Sequence, residues 1–528
     1  MGNNNIKILD CTLRDGGYCN NWDFGLKNIR YITRKLVSAE IDIVECGFLS
    51  QKKQSTIEST IFDTVSSVKE VLPETCGRTE FVCMINYGEY DIEDLEPYDG
   101  TSIDGIRVAF HKQNMEQAIE MCHKIKSKGY GVYVQPMVTL NYTDAEILEL
   151  IDKVNELGPK ALYIVDSFGV VRRRDLLRMY YLIDHNLNPS ISIGYHSHNN
   201  LQLAYSNAQA LSEIHSSRTK IIDSSVFGMG RGAGNLNTEL FVEYLNDYIQ
   251  TSYAVFPLLQ IIDNVLNKIY YANYWGYSLP HYLSSKYNCH PNYASYLSDK
   301  STLTIEAMGE ILGQIPQENK INFDKTIVEK LYIAYQESFV DDAEVLGKLE
   351  KLLLNKNILI LAPGKTIKTN KTYIEQIIAE KQMTVISVNF VSEEYKSDFV
   401  FFSNIKRYNQ FVGSLKDYTT QIITTSNIKE SPDGYVVNYG SLRNNTKNVE
   451  DNVTLMLLRL LIKLGVKDVS VAGFDGYEPV ITDNYADKDM SINTVNNAEA
   501  INAGISREIK KLSENITVDF LTPTKYIR

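Results

Sequence analysis

The first 250 residues alternate between short runs rich in apolar and β-branched residues and longer stretches whose apolar positions return every three or four residues. A period of two marks a strand and a period of 3.6 marks a helix. The strand-like runs are Ile6–Leu13, Asp42–Phe48, Glu80–Tyr87, Gly105–Phe110, Gly131–Val138, Ala161–Phe168, Ser192–His198 and Lys220–Phe227. Between them, Asn114–Lys128, Asp144–Leu157 and Leu201–Glu213 read as helices. Eight such units in about 250 residues predict a closed (β/α)8 TIM barrel. An open doubly wound sheet would carry a Gly-rich dinucleotide turn after its first strand. Here the first strand runs into Arg14-Asp15-Gly16-Gly17 instead.

Beyond residue 252 the pattern changes twice. Residues 253–355 are mostly helical and rich in tyrosine, as expected of a helical extension that caps the barrel or forms an oligomer interface. From Lys356 onward β-like runs return at Ile358–Ala362, Thr384–Asn389, Phe399–Ser403, Gln421–Thr425, Tyr435–Tyr439, Asp468–Ala472 and Thr517–Leu521. Helical segments Val453–Leu464 and Ala498–Leu512 separate some of them, which predicts a second, open-sheet α/β domain of Rossmann-like form over 356–528. Val453–Leu464 is apolar almost all round and is expected to be buried.

Composition narrows the function classes. A chain of 528 residues exceeds what one hydrophobic core supports. A net charge of -12 argues against non-specific nucleic-acid binding, which needs a basic face. The N-terminus lacks the basic start and apolar core of a signal peptide, and no apolar run is long enough to cross a bilayer. Seven cysteines, none spaced C-x-x-C, favour reduced thiols and a cytoplasmic setting. All eight histidines precede position 291, so histidine-liganded metal chemistry belongs to the first half.

Barrel chemistry gathers at the C-terminal ends of the strands. There the sequence sets Arg14 and Asp15 after strand one, Glu45 on strand two, Arg107 on strand four, Ser167 after strand six, and His196 and His198 on strand seven. Residues two apart on a strand share a face, so the two imidazoles point together. Strands one and seven both border strand eight, which brings Asp15 within reach. Two imidazoles and a carboxylate leave coordination positions open for catalysis and suit manganese, magnesium, iron or zinc. A lone His-x-His is more often a core feature; its position on the rim with Asp15 argues for a metal site.

The motifs DCTLRDGGY, VECGF, VDSFG, GYHSHNN and FGMGRGAGN, in this order, resemble the DRE-TIM metallolyase family over roughly residues 6 to 250. That family includes 4-hydroxy-2-oxovalerate aldolases, hydroxymethylglutaryl-CoA lyases and isopropylmalate and homocitrate synthases. The resemblance implies Asp15, His196 and His198 as ligands of a divalent ion, with manganese the first choice and magnesium, cobalt or zinc the others. Asn235 matches a further ligand or a residue behind the ligands. Arg14 would hold an enolate oxygen, Glu45 would orient Arg14, and Ser167 would meet a substrate carboxylate. Arg107 is a further candidate substrate contact.

Two positions depart from the pattern. Tyr18 stands where the aldolases often have a histidine base, and Arg231 stands where the lyases have a cysteine and the synthases a glutamate. Arg231 is therefore a candidate for binding a substrate carboxylate or phosphate. Tyr18 is the first candidate for proton transfer, followed by Tyr282 and His281 in the helical stretch, because the aldolases supply a tyrosine from there. The resulting expectation is an aldolase joining or parting a pyruvate-like 2-oxo acid and an aldehyde, working as a homo-oligomer. The alternatives are an acyl-CoA lyase or Claisen-type synthase, and a barrel that holds metal only as a scaffold.

In the last domain LAPGKTI invites a phosphate-loop reading, but Leu359 occupies the position that needs glycine. The turn at Gly364-Lys365-Thr366 before a helix is still a candidate phosphate site. Weak similarity to domains beside bacterial surface-polysaccharide enzymes suggests a nucleotide or nucleotide-sugar ligand here, against the plainer reading of an interaction domain.

Overall fold

The computed structural model describes residues 5–415, 419–429, 434–479, 484–487, 490 and 497–526. The chain divides into two compact units. One runs to Asn292 and takes in Lys320–Asn322; the other holds Tyr293–Asn319 and the chain from Phe323 onward. The tyrosine-rich helical stretch is thus shared between the two units. Among the described residues no helix is long and apolar enough to cross a membrane.

In the first unit the strands are β1 (Ile6–Asp10), β2 (Ile43–Leu49), β3 (Glu80–Asn86), β4 (Gly105–Phe110), β5 (Gly131–Pro136), β6 (Ala161–Asp166), β7 (Ser192–Ser197) and β8 (Lys220–Ser224). They pair in parallel in the order β1-β8-β7-β6-β5-β4-β3-β2, and β1 pairs with β2 to close an eight-stranded barrel. Alternation along each strand builds two cores. Ile8, Val44, Phe81, Val132, Leu162 and Ile222 face outward to the helices, while Leu9, Ile43, Val82, Tyr133, Tyr163 and Ile221 fill the interior. A two-residue strand, Ile61–Phe62, joins the end of β2 and has no counterpart in the sequence pattern.

Six strands, β1, β3, β5, β6, β7 and β8, end one to three residues earlier than their apolar patterning predicts, and in three of them side chains explain why. β1 stops at Asp10 rather than Leu13, because the Asp10 carboxylate accepts the Thr12 backbone N–H (3.0 Å) and the Thr238 hydroxyl (2.7 Å). β6 stops at Asp166 rather than Phe168, because that carboxylate takes the N–H groups of Val170 (2.9 Å) and Val171 (3.0 Å). β8 stops at Ser224, and the Val226 N–H turns to the Thr12 hydroxyl (2.8 Å). Side-chain acceptors outbid the ladder for these N–H groups. The chain therefore leaves the sheet early and folds over the barrel mouth.

In the second unit the strands are β9 (Ile358–Leu361), β10 (Thr384–Val388), β11 (Phe399–Phe402), β12 (Gln421–Thr425), β13 (Tyr435–Val437), β14 (Asp468–Ala472) and β15 (Thr517–Phe520). They form an open parallel sheet in the order β13-β12-β11-β10-β9-β14-β15. Ile358 and Ile360 pack on one face with Leu457 and Leu461, and Leu359 and Leu361 pack on the other with Ile374 and Tyr408. Burial on both faces is why these strands read as unbroken apolar runs. The helix Val453–Lys463 is buried along most of its length, as its composition predicts.

The entry to β7 is held by one side chain. Arg218 Nε donates to Asp184 Oδ1 (2.6 Å), and its Nη groups donate to the carbonyls of Asp184, Leu187, Asn188 and Ile191 at 2.7–3.0 Å. Arg218→Ala strips donors from four carbonyls and a carboxylate, and should lower unfolding stability by about 3 kcal/mol or more. Urea denaturation of the full chain measures this; a loss under about 1 kcal/mol would show that the clamp carries little.

Candidate metal centre

Asp15, His196 and His198 meet at the C-terminal rim of the barrel. All three are buried, and their ligand-capable atoms lie within 4.8 Å of one another. The two imidazole rings stand 5.2 Å apart and nearly perpendicular, at 88°. His198 Nδ1 is 3.8 Å from Asp15 Oδ2 and has no hydrogen-bond partner although it is buried. Burial pulls the His198 pKa down to about 3 against the opposing pull of Asp15, so the ring is neutral and keeps a lone pair to offer. Burial alone would raise Asp15, but the Arg14 guanidinium beside it holds the carboxyl well below the usual range.

The third face of the site comes from the loop after β8. Asn235 Nδ2 donates to Asp15 Oδ2 (2.6 Å), and its own Oδ1 is buried without a partner. The amide therefore fixes the carboxylate and leaves an oxygen free. At Gly230 a Cβ would fall 2.2 Å from Asn235 Nδ2 and 2.7 Å from Asp15 Oδ2, so only glycine lets this loop close on the pair.

Behind the cluster runs a chain of buried charges. Arg14 spans Asp15 (Nη1, 2.6 Å) and Glu45 (Nε, 2.7 Å). Arg107 Nη1 lies 2.8 Å from the same Glu45 oxygen, and Arg107 Nη2 donates to Asp223. Asp223 Oδ2 in turn holds His196 Nδ1 at 3.0 Å. Burial would raise Asp223, but Arg107 and the His196 hydrogen bond overcome it and its pKa falls. An ionised Asp223 keeps the proton on Nδ1, which leaves the Nε2 lone pair as the donor. The sequence reading missed Asp223. Its signal was there: it follows the inward-facing Ile221 by two positions on β8, so a carboxylate stands where the barrel interior is apolar.

This arrangement fits a divalent cation. Arg14 and Arg107 bring two positive charges against three from Asp15, Glu45 and Asp223, all buried. A surplus negative charge in a closed interior is costly unless a cation joins it. The histidine nitrogen and asparagine oxygen without partners are ligand atoms of the types such ions take.

The remaining candidates fall into two groups. Arg231 Nη2 donates to the Ser167 carbonyl (2.9 Å), its backbone N–H points to Asp15 Oδ2 (3.4 Å), and its guanidinium lies 5.6 Å from the Tyr18 ring centre. The Ser167 hydroxyl accepts the Val138 N–H (3.0 Å). Tyr18 packs edge-on against Trp22 and is 40% exposed, yet local crowding raises its pKa, so the hydroxyl stays protonated at neutral pH. Arg107 is different: it is fully buried, occupied by Glu45 and Asp223, and stacked 4.8 Å over the Tyr163 ring. It supports Arg14 and His196 from beneath. Gln135 Oε1, in the orientation these neighbours require, accepts from Arg107 Nε (3.1 Å) and Nη2 (2.9 Å).

Tyr282 and His281 lie on the helix Leu279–Lys286, which is pinned to the rim by Ser285 donating to the Phe168 carbonyl (2.9 Å). Among the described residues no hydrogen bond or ring contact joins either one to the metal cluster. Burial lowers the His281 pKa. His111 and His290 come closer to the chemistry, since Arg231 acts on both through space.

With this geometry in view, the relatives are informative. Residues 5–265 match the family model described as HMGL-like. A 4-hydroxy-2-oxovalerate aldolase from Geobacillus genomosp. 3 is 25% identical over 267 residues, which span 50% of this chain and 77% of the relative. An oxaloacetate decarboxylase from Mycobacterium tuberculosis is 26% identical over 243 residues, 45% of this chain and 69% of the relative. A solved N-terminal domain of a candidate aldolase from Bacteroides vulgatus is 27% identical, covering 56% of this chain and 97% of that one with a TM-score of 0.47. The barrel of this chain is thus a domain of the HMGL-like family, the DRE-TIM metallolyases.

Proposed function

We propose that the barrel is a divalent-metal-dependent aldolase that makes or breaks a carbon–carbon bond between the enolate of a pyruvate-like 2-oxo acid and an aldehyde. The observation that carries this reading is Arg14. Its Nε and Nη1 are spent on Glu45 and Asp15, while its Nη2 is buried and unpartnered beside the Asp15–His196–His198 cluster. An immobile donor with no partner, next to a site for a cation, suits a negative charge that develops only during reaction. The names of the relatives, an aldolase of a 2-oxo acid and a decarboxylase of another, support the same substrate class.

Asp15, His196 and His198 would hold the ion, with Asn235 Oδ1 available beside them. A divalent ion held there would supply Lewis acidity toward the substrate's oxygens. In cleavage, the pair of electrons from the broken carbon–carbon bond stays on the 2-oxo acid fragment as an enolate. Arg14 Nη2 donates to the enolate oxygen, and Glu45 keeps the guanidinium from turning away. Arg231, with the Ser167 hydroxyl, takes the substrate carboxylate. The Tyr18 hydroxyl, held protonated, delivers its proton to the enolate carbon, and the hydroxyl proton of the departing fragment passes to a neutral base such as His290. Asp223 and Arg107 position His196 and Arg14 without touching substrate.

Deuterium exchange from solvent into the methyl group of pyruvate tests the reading directly. Manganese should support exchange, and chelator or His196→Ala should abolish it; no exchange with manganese bound would overturn the pyruvate assignment. Arg14→Ala should retain manganese yet slow exchange by about 100-fold or more, and an undiminished rate would remove Arg14 from the enolate. Tyr18→Phe should slow exchange at least tenfold, measured the same way. Asp223→Asn should weaken manganese binding by about 10- to 100-fold in calorimetric titration; unchanged affinity would show that His196 needs no such support.

A further inference from the structure

The order of strands in the second unit reverses at β9. From β9 the chain adds β10, β11, β12 and β13 to one side, then returns to add β14 and β15 to the other. Loops leaving β9 and β14 must therefore part in opposite directions, which opens a crevice at the carboxyl ends of the strands. A cavity of about 510 Å³ lies there. Ala362, Pro363 and Gly364 line it from β9, Asn389 from β10, Arg407 from the helix Ile405–Phe411, and Gly473–Tyr477 from β14. Its size is that of a small-ligand site.

The phosphate position suggested by Gly364-Lys365-Thr366 is already taken. Asp475 Oδ2 accepts the Thr366 backbone N–H at 2.8 Å, and Asp475 Oδ1 accepts the Thr366 hydroxyl. A carboxylate of the chain itself fills the place an anion would occupy, and the helix there, Thr366–Thr369, is a single turn. Any anion must be held elsewhere in the cavity.

Arg407 is the group that can hold it. It is 7% exposed, donates to Gln410 Oε1 (2.8 Å) and to the Met490 carbonyl, and stacks 5.7 Å over the Tyr485 ring. Among the described residues it makes no ion pair, and Asp487 acts on it only through space. Three more cations line the same cavity, Lys300, Lys325 and Lys447, and no carboxylate pairs with any of them among the described residues. The lining also carries Asp299, Glu329, Glu450, Asp451 and Asp475, so the cavity as a whole is not electropositive and the anion's place is local, at Arg407. A buried guanidinium with no ion pair among the described residues is stabilised when a planar or tetrahedral oxyanion meets its fork.

The other end of the cavity carries charges of both signs, with Lys300 over the Tyr296 and Tyr332 rings and Lys325 over the Tyr296 ring. Tyr485 and Tyr477 neighbour Arg407, and beyond them Asp451 accepts from Tyr332 (2.9 Å) in a region shared with Tyr296, Glu329 and Glu450. Carboxylates at that end are acceptors for sugar hydroxyls, and the half-buried tyrosine rings between the two ends offer a stacking face. We infer that the second unit binds a nucleoside phosphate in this crevice, with its phosphate on Arg407, its ring against the Tyr477–Tyr485 wall and its hydroxyls toward Asp451 and Glu450.

Calorimetric titration of the full-length protein with AMP, GMP, CMP and UMP, and with inorganic phosphate alone, tests this. At least one nucleotide should bind at least tenfold more tightly than phosphate. Arg407→Lys, which keeps the charge and loses the fork, should weaken that nucleotide at least tenfold. Because Arg407 is buried, Lys447→Glu serves as the second variant: Lys447 is exposed, so folding is unaffected, and binding should fall at least threefold and depend less on salt. Manganese binding by the barrel should not change in either variant. Binding of phosphate with no nucleotide preference, no binding of any of the five probes, or nucleotide binding indifferent to both variants would each overturn the inference.

Discussion

The barrel's candidate site depends on one buried chain of charges: Asp15–Arg14–Glu45–Arg107–Asp223–His196. Its members come from the loop after β1, from β2, β4 and β8, and from β7. Each guanidinium bridges two carboxylates, and each link is too short and too buried for water to replace. Burying five charges costs stability, and the arrangement is tolerable only because each charge has an opposite neighbour, although three carboxylates against two guanidiniums leave one negative charge over. The residual negative charge sits beside the two imidazoles of His196 and His198, where a divalent ion would cancel it. The same network fixes which nitrogen His196 presents and which way Arg14 points. Metal affinity and oxyanion stabilisation are in this sense one structural problem.

Loops finish what the strands begin. Asp10, Asp166 and Thr12 draw backbone N–H groups out of the ladder, so the chain turns inward at the barrel mouth. The glycine-rich segment after β8 then reaches Asp15 because Gly230 has no side chain to keep it away. That approach delivers Asn235 to the carboxylate and Arg231 to the Ser167 carbonyl. The field of Arg231 reaches Tyr18, His111 and His290.

The second unit solves a different problem with the same kind of element. A parallel sheet buried on both faces has its irregular backbone only at the strand ends, and a reversal in strand order leaves a gap there. The chain fills part of that gap itself, with Asp475 capping the turn after β9. What is left is a cavity with a buried guanidinium, Arg407, on one wall and carboxylates that can accept from hydroxyls farther along.

Much of this was legible in the sequence because it is local. Strand and helix follow from periods of two and 3.6, and eight repeats of one unit leave few ways to bury eight apolar strands. His196 and His198 share a face by strand geometry alone, and Asp15 follows from which strands adjoin in a closed ring. The parts that were not legible are those in which distant residues decide each other's state. Asp223 is an unremarkable aspartate until Arg107 and His196 converge on it across the barrel. Arg107 reads as a rim residue for substrate contact until Glu45 and Asp223 enclose it. Gly364-Lys365-Thr366 reads as a phosphate site until Asp475, over a hundred positions away, occupies it. Periodicity determines which residues line an interior; only the closed tertiary structure decides which of them pair, because Coulomb and hydrogen-bond energies depend on distances that the sequence does not contain.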